Sequence, residues 1–306
     1  SDAVKVYDTT TDVTGATTAP AATLYSGTLY TNSATGYTDT LSGGSFAYAN
    51  PNASSGNKVL NVSGVSILND SSSAANNYTI TYVANTTSTI TAAPITISGL
   101  SASNKVYDTN RVAALSGTAT AAGVLSGDTV TVSGTANAGT FASANVANGI
   151  AVTADLSGLT LSNTNYFIDG MTSALSANIT AAPVTISGLS ASNKVYDTNR
   201  DATITGSPTA NGALGSDSVI VIGSVTTGQF ASKNVASGIA VSIEISGLTL
   251  SNSNYFIDGV TSALSANITA APVTITIVKD YNGSTAVANN QITVAGVVGQ
   301  TLVLTA

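Results

Sequence analysis

The sequence predicts an all-β protein made of small tandem β-sandwich modules, Ig-like or β-grasp-like, arranged end to end as a rod. Three observations predict it. The chain is 43% hydrophobic and only 8% charged, whereas disordered chains are poor in apolar residues and rich in charge. Val, Ile, Thr, Ser, Asn and Gly are abundant and there is a single Glu, the composition of strands joined by turns. The string ITAAP recurs, ending at Pro94, Pro183 and Pro272, 89 residues apart each time. Self-similarity at a fixed period marks a repeat architecture.

The period sets the modules. Residues 94–182 and 183–271 align without a gap. SASNKVYDTNR stands at 101–111 and again at 190–200. SGLTLSNTNYFIDG at 157–170 returns as SGLTLSNSNYFIDG at 246–259. Residues 1–93 form a diverged copy, with KVYDTT at 5–10, Phe46 where the others have Phe141 and Phe230, and Asn77-Tyr78 where they have Asn165-Tyr166 and Asn254-Tyr255. Residues 272–306 are the truncated start of a fourth copy. A unit this long exceeds one solenoid coil of about 20–30 residues. It has the size of a small domain, so each unit is expected to have its own core and to touch its neighbours only at its ends.

Within a module the elements follow from period-two alternation. In the third copy Ile239, Val241, Ile243 and Ile245 alternate with Ala240, Ser242 and Glu244. In the second copy Ile150, Val152, Ala154 and Leu156 match them, with Asp155 in an outward slot. Further strands are expected at 95–98, 105–107, 113–118, 129–133, 166–168 and 176–180. Residues 134–149 lack a strand pattern, which leaves room for the short helix of a β-grasp module. Between modules the chain reads NITAAPVTIS. Each Pro fixes its own φ and pushes the preceding Ala93, Ala182 or Ala271 toward extended geometry, so the joint is short and stiff.

Composition also excludes chemistry. The chain has no His and no Cys, hence no imidazole base, no thiolate and no disulfide. A net charge of −7 opposes binding to a phosphate backbone, so no nucleic acid partner is expected. No run of about 20 apolar residues exists to span a membrane as a helix. The chain is read as non-enzymatic. Starting at Ser1 without a leader, it reads as a piece of something longer.

At Lys5-Val6-Tyr7-Asp8, Lys105-Val106-Tyr107-Asp108, Lys194-Val195-Tyr196-Asp197 and Lys279-Asp280-Tyr281-Asn282-Gly283 the sequence carries a motif. A preceding Ala-x-Pro-[Ile/Val]-Thr-Ile, a later Phe-Ala, an Asn-Tyr and a closing Ile-Thr accompany it. The pattern resembles the YDG-type repeat domains of large bacterial surface adhesins and filamentous-haemagglutinin-like exoproteins. The Gly of that pattern is Thr9, Thr109 and Thr198 in the first three copies and Gly only at Gly283. The resemblance implies a secreted, extracellular, outer-membrane-associated repeat region without a defined ligand. It implies a stalk that projects a distal binding region for attachment or biofilm formation. The alternative is that the repeats themselves bind carbohydrate or host matrix through avidity.

Candidate sites are few. Tyr7, Tyr107 and Tyr196 either stack on sugars or end a strand, with Asp8, Asp108 and Asp197 accepting backbone N–H bonds in the following turn; the second role is preferred. Tyr166 and Tyr255 are expected to fill the core with their hydroxyls reaching backbone. No cofactor is expected. Asp108, Asp128, Asp155 and Asp169 are the candidates should Ca²⁺ stiffen the modules, although nothing resembles a calcium loop. Lys105 and Lys194 are candidates for isopeptide bonds to Asn178 and Asn267, with Asp155 and Glu244 as the assisting acids; both acids point outward by alternation, which disfavours the bond. The expected partners are neighbouring modules of the same chain, and a host or abiotic surface or matrix carbohydrate.

Overall fold

The computed structural model describes residues 2–69, 72–73, 77–288, 291–297 and 299–300. Among them the chain is built of strands and turns, without an α-helix. Residues 134–149, where the sequence leaves room for a helix, instead carry the strand Asn137–Phe141 and the start of Ala147–Asp155. The β-grasp helix is therefore absent there: Asn137, Gly139 and Phe141 belong to an antiparallel hairpin whose alternation is short and masked by small residues. Each of the expected strands occurs, some of them shortened, and Asn137–Phe141 and Leu159–Leu161 are additional.

The chain divides into two compact units, and the division passes through the second repeat. The first unit holds residues Ser1–Ser103, Val112–Ala142 and Ala151–Ala177. In its first repeat the sheet runs Val4–Val6, Asn85–Thr91, Ser54–Asn69, Thr40–Tyr48, parallel at the first step and antiparallel after it. In its second repeat Ala93–Ala102 is central, antiparallel to Leu115–Ala122 and parallel to Tyr166–Met171. Val132–Gly134 pairs with Leu159–Leu161, and Asn137–Phe141 with Val112–Ala113. One apolar cluster joins Ala3, Tyr7, Tyr48, Leu60 and Ile90 of the first repeat to Ala93, Ile95 and Tyr166. The expectation of fully separate cores is thereby corrected: the strand that follows Thr91 brings Ala93 and Ile95 straight into the packing of the preceding repeat.

The second unit holds Asn104–Arg111, Ser143–Ile150 and Asn178–Ala306. Its third repeat is a seven-stranded curled sheet. The strand Asp201–Asn211 turns the corner, pairing with Thr227–Phe230 through its first residues and with Ala182–Ala191 through the rest. The core is Ile186, Ile204, Phe230, Ile239, Val241 and Ile268 with smaller neighbours. Tyr196 packs half-buried against it. The start of the fourth repeat contributes Thr274–Ile277, antiparallel to Ile292–Ala295.

The corner depends on one pair of glycines. Gly188 and Gly206 cross so closely that a Cβ on Gly206 would lie 2.1 Å from the Gly188 carbonyl oxygen, and one on Gly188 2.4 Å from that of Ser207. Both have positive φ, +82° and +96°. The register shifts between Ser187 and Leu189, a bulge that lets one strand serve two sheet faces.

One correspondence also moves. The counterpart of Phe141 and Phe230 in the first repeat is Tyr48, not Phe46. Tyr48 N–H donates to Thr11 O and Phe230 N–H to Arg200 O, and Ala49, Ala142 and Ala231 make equivalent next bonds. Phe46 lies two residues away, on the same strand face, which is why matching by residue type selects it.

Candidate functional site

The recurrent site starts from Lys-Val-Tyr-Asp. A short strand, Val4–Val6 in the first repeat, places Lys5 and Tyr7 on one face by alternation. Lys5 is 1% exposed. Its Nζ donates to Asp8 Oδ1 at 2.7 Å and to the carbonyls of Thr10 and Asp12 at 3.0 and 2.8 Å. Asp8 Oδ1 also accepts the Thr10 N–H at 2.9 Å. Lys105–Asp108 and Lys194–Asp197 repeat the pair at 2.6 and 2.7 Å, with Asn110 and Asn199 completing the loop. Lys194 lies 5.5 Å over the Phe230 ring and Lys5 5.6 Å over Tyr48. The Lys194 ammonium bonded to Asp197 is the largest influence on that carboxyl, and it outweighs burial to hold the group below the usual Asp value.

This clamp closes on a strained residue. Thr9, Thr109 and Thr198 have φ of 71°, 69° and 72°, and Gly283 in the fourth copy has 70°. A β-branched residue in this left-handed region costs roughly 1–2 kcal/mol. The clamp around the loop fixes the turn that aims the preceding Tyr.

What that Tyr meets is a carboxylate 121 residues on. Tyr7 Oη donates to Asp128 Oδ2 at 2.8 Å, and Tyr166 Oη donates to the same oxygen at 2.6 Å. The two rings meet edge to face, 5.5 Å apart at 80°. Tyr166 Oη also accepts the Leu125 N–H at 3.2 Å. Beside it the Asn165 amide accepts from Ala53 N–H at 2.8 Å and donates to Asn52 Oδ1 at 3.3 Å. Burial, followed by the bond to Asp128, pushes the Tyr166 hydroxyl up to about 12. The same two causes, in the same order, raise Tyr7.

The arrangement recurs one repeat later. Tyr107 and Tyr255 both donate to Asp217 Oδ2 at 2.8 Å, with rings 5.4 Å apart at 77°. Leu214 N–H donates to Tyr255 Oη at 2.9 Å. Asn254 accepts from Val146 N–H and donates to Asn145 at 2.9 and 3.1 Å. The bond to Asp217 is the main cause that raises Tyr107, and burial that of Tyr255. Each boundary between full repeats is thus a joint of two tyrosines on one carboxylate, flanked by an Asn–Asn amide clasp. The boundary has no linker: Asn85–Thr91 and Ala93–Ala102 are separated by Ala92 alone, and Pro94 and Pro183 sit inside strands opposite Phe167 and Phe256. Pro272 stands just before Thr274–Ile277.

The other candidates separate. Tyr7 and Tyr107 are 6% and 7% exposed, too covered for their rings to stack on a sugar. The hydroxyls of Tyr166 and Tyr255 do contact backbone, but as acceptors, and each donates its proton to an Asp. The sequence does not announce that second bond, because Asp128 is 38 residues from Tyr166. Asp128 serves the joint. Asp155 accepts from Ser157 and Asn137, and Asp108 from Lys105. Among the described residues no group of three or more His, Cys, Asp or Glu is placed to hold a metal ion. Lys105 and Lys194 turn to their own loops, while Asn178 and Asn267 accept the N–H groups of Gly149 and Gly238 at 2.7 and 2.8 Å; the isopeptide geometry is not formed. Sequence reasoning misses Asp217, Asn52, Asn145, Asn165 and Asn254 as joint residues. The signal available is the recurrence of Asp128 at Asp217 and of Asn165 at Asn254 one repeat later; Asn52 and Asn145 stand outside that spacing. A shallow open depression beside the joint is lined by Leu159, Leu161 and Ile168 in the second repeat and by Leu248, Leu250 and Ile257 in the third. Phe167 and Phe256 at its edge are 46% and 45% exposed.

The family described as the YDG domain matches residues 91–174 and 180–263, together more than half of the chain. No curated protein and no solved structure matches it.

Proposed function

The chain belongs to the YDG domain family, and from that premise we propose that its repeats are the structural stalk of a secreted bacterial cell-surface adhesin. They hold a distal binding region away from the cell for attachment or biofilm formation. The observation that carries this reading is the joint. Two successive boundaries use the same tyrosines, carboxylate and amides, with one residue between strands instead of a linker. Such a boundary fixes spacing and orientation from one repeat to the next, which is what a spacer needs and what a flexible tether lacks. Net charge of −7 keeps neighbouring chains apart, and a chain without Cys forms no wrong disulfide during export.

Small-angle X-ray scattering tests it. A stiff spacer gives a maximum dimension on the order of 100 Å, as expected for modules of about 12 Å radius of gyration placed in a row. A Tyr7→Ala, Tyr107→Ala double variant gives a broader distance distribution. A collapsed particle, or an unchanged distribution in the variant, defeats the proposal. The second reading, weak carbohydrate or matrix binding multiplied by repetition, has one observation in its favour: Phe167 and Phe256 present exposed aromatic faces at equivalent positions. Glycan-array binding that is lost in Phe167→Ser, Phe256→Ser would favour it over the spacer alone.

A further inference from the structure

The tripeptide Ala-Asn-Gly stands at 147–149 in the second repeat and at 210–212 in the third. Each is peculiar to its copy: the counterparts one repeat away are Ser237-Gly238 and Ala122-Gly123. Asn before Gly is chemically labile, because the Gly amide nitrogen, unscreened by a side chain, is free to attack the Asn carboxamide carbon. Asn148 and Asn211 have the same immediate neighbours, and both are exposed. Neither local sequence nor access to water separates them; backbone structure does.

Gly149 lies inside the strand Ala147–Asp155, and its N–H donates to Asn178 Oδ1 at 2.7 Å. The nitrogen that would attack is engaged. Closing a five-membered ring also requires the Asn148–Gly149 peptide to rotate, which the strand and that hydrogen bond both oppose. Asn211 is instead the last residue of Asp201–Asn211, where it stands opposite Thr185. Gly212 lies beyond the strand with φ of +104°, a conformation open to Gly. Among the described residues nothing accepts the Gly212 N–H and nothing engages the Asn211 carboxamide. Rotation there requires only that one strand end fray.

We propose that Asn211-Gly212 is a site of spontaneous backbone modification, converting to isoaspartate, while Asn178 guards the matching Asn148-Gly149. The Gly212 nitrogen bonds to Asn211 Cγ, the bond from Cγ to the amide nitrogen breaks, and ammonia leaves with the Gly212 amide proton. Water then opens the cyclic imide at either carbonyl. Opening at Cγ gives Asp; opening at the main-chain carbonyl gives isoaspartate, with the chain now running through Cβ and Cγ. One water is consumed, one ammonia is released, and no other reactant is needed. The product carries one more main-chain carbon and one more negative charge. That insertion lies close to the second joint. Leu214 N–H donates to Tyr255 Oη at 2.9 Å, and Tyr255 Oη donates to Asp217 Oδ2 at 2.8 Å. Lengthening the chain just before Leu214 loosens the first of these bonds. The modification goes beyond the spacer reading and does not depend on it.

The folded 306-residue chain, aged in mildly alkaline buffer, tests the proposal. Tryptic peptide mapping follows each Asn, and an isoaspartyl-specific methyltransferase identifies the product. Asn211 should convert at least about fivefold faster than Asn148, the factor that one hydrogen bond of about 1 kcal/mol supplies. In urea, where neither peptide is held, the two rates should converge. Hydrogen exchange at the Leu214 amide should be faster in the converted chain than in the aged Asn211→Ala variant, which installs the second repeat's residue and lacks the carboxamide. Equal rates in the folded chain, no isoaspartate at residue 211, or a rate gap that persists in urea overturns the site. Unchanged exchange at Leu214 overturns the loosening.

Discussion

Replacing Asp128 with Ala removes the acceptor on which the first joint converges. Two tyrosine hydroxyls, at 2.8 and 2.6 Å, lose a charged partner, and hydrogen bonds to charged groups contribute about 1.5–3 kcal/mol each. Not all of that is lost. Tyr166 Oη keeps the Leu125 N–H, and the edge-to-face ring contact, worth about 0.5–1.5 kcal/mol, remains. Asp128 is half-buried, so water reaches part of the vacated space. The net cost should therefore be about 2–4 kcal/mol, toward the upper range of single-site effects. Asp128→Asn, which keeps an oxygen acceptor without the charge, should cost about half as much. Urea denaturation followed by circular dichroism measures the loss. Hydrogen exchange at the Leu125 and Ala53 amides shows whether it is local to the joint. Asp155→Ala is the control, since Asp155 is exposed and bonds to its own turn and to Asn137. A cost for Asp128→Ala no larger than that of the control would refute the joint as an energetic unit.

Thr198→Gly should stabilise the chain by about 1 kcal/mol, because Gly adopts φ near 72° without strain at some cost in unfolded-state entropy; thermal melting would show the midpoint rise. Gly206→Ala should lower stability by about 3 kcal/mol or more, since its Cβ would sit 2.1 Å from a backbone oxygen at positive φ; chemical denaturation reads it. Alkaline pH should open the first joint. The Tyr166 hydroxyl titrates at about 12 when folded against 10 ordinarily. A raised acid favours the folded state fully below the lower value, and that contribution fades as pH climbs through the higher one. Tyrosinate absorbance should show late titration, and Tyr166→Phe should remove one late-titrating group while those of Tyr7, Tyr107 and Tyr255, also raised, remain.

Much of the fold is legible because each repeat restates it. Period-two alternation locates Ala147–Asp155 and Ala236–Ile243, and burial follows it at Ile150, Val152, Ile239 and Val241. Asn137–Phe141 escapes because Asn-Ala-Gly-Thr-Phe offers only two apolar side chains. The tandem period delimits the repeats but does not disclose their joints. Tyr7 and Asp128 are 121 residues apart, and no local pattern announces that distance. Taken alone, Asp128 reads as a metal candidate, whereas its carboxylate serves two hydroxyls. Lys105 and Lys194 are cross-link candidates that the outward-pointing acids disfavour, and the structure gives the motif lysine another task, bracing the loop that holds Thr9, Thr109 and Thr198 in a glycine conformation. The tolerance of Thr at a Gly position is visible only once φ is known.

The single residue between Asn85–Thr91 and Ala93–Ala102 has a mechanical consequence. A pull on the chain is handed from strand to strand with no slack to take up. Within the second repeat the force arrives through Ala93–Ala102 and departs through Leu175–Thr180, and both pair in parallel with a partner strand, Tyr166–Met171 and Lys105–Val106. Parallel ladders loaded along their length must slide all their bonds at once instead of unzipping one by one. Resistance to tearing is then governed by how fast that sliding occurs.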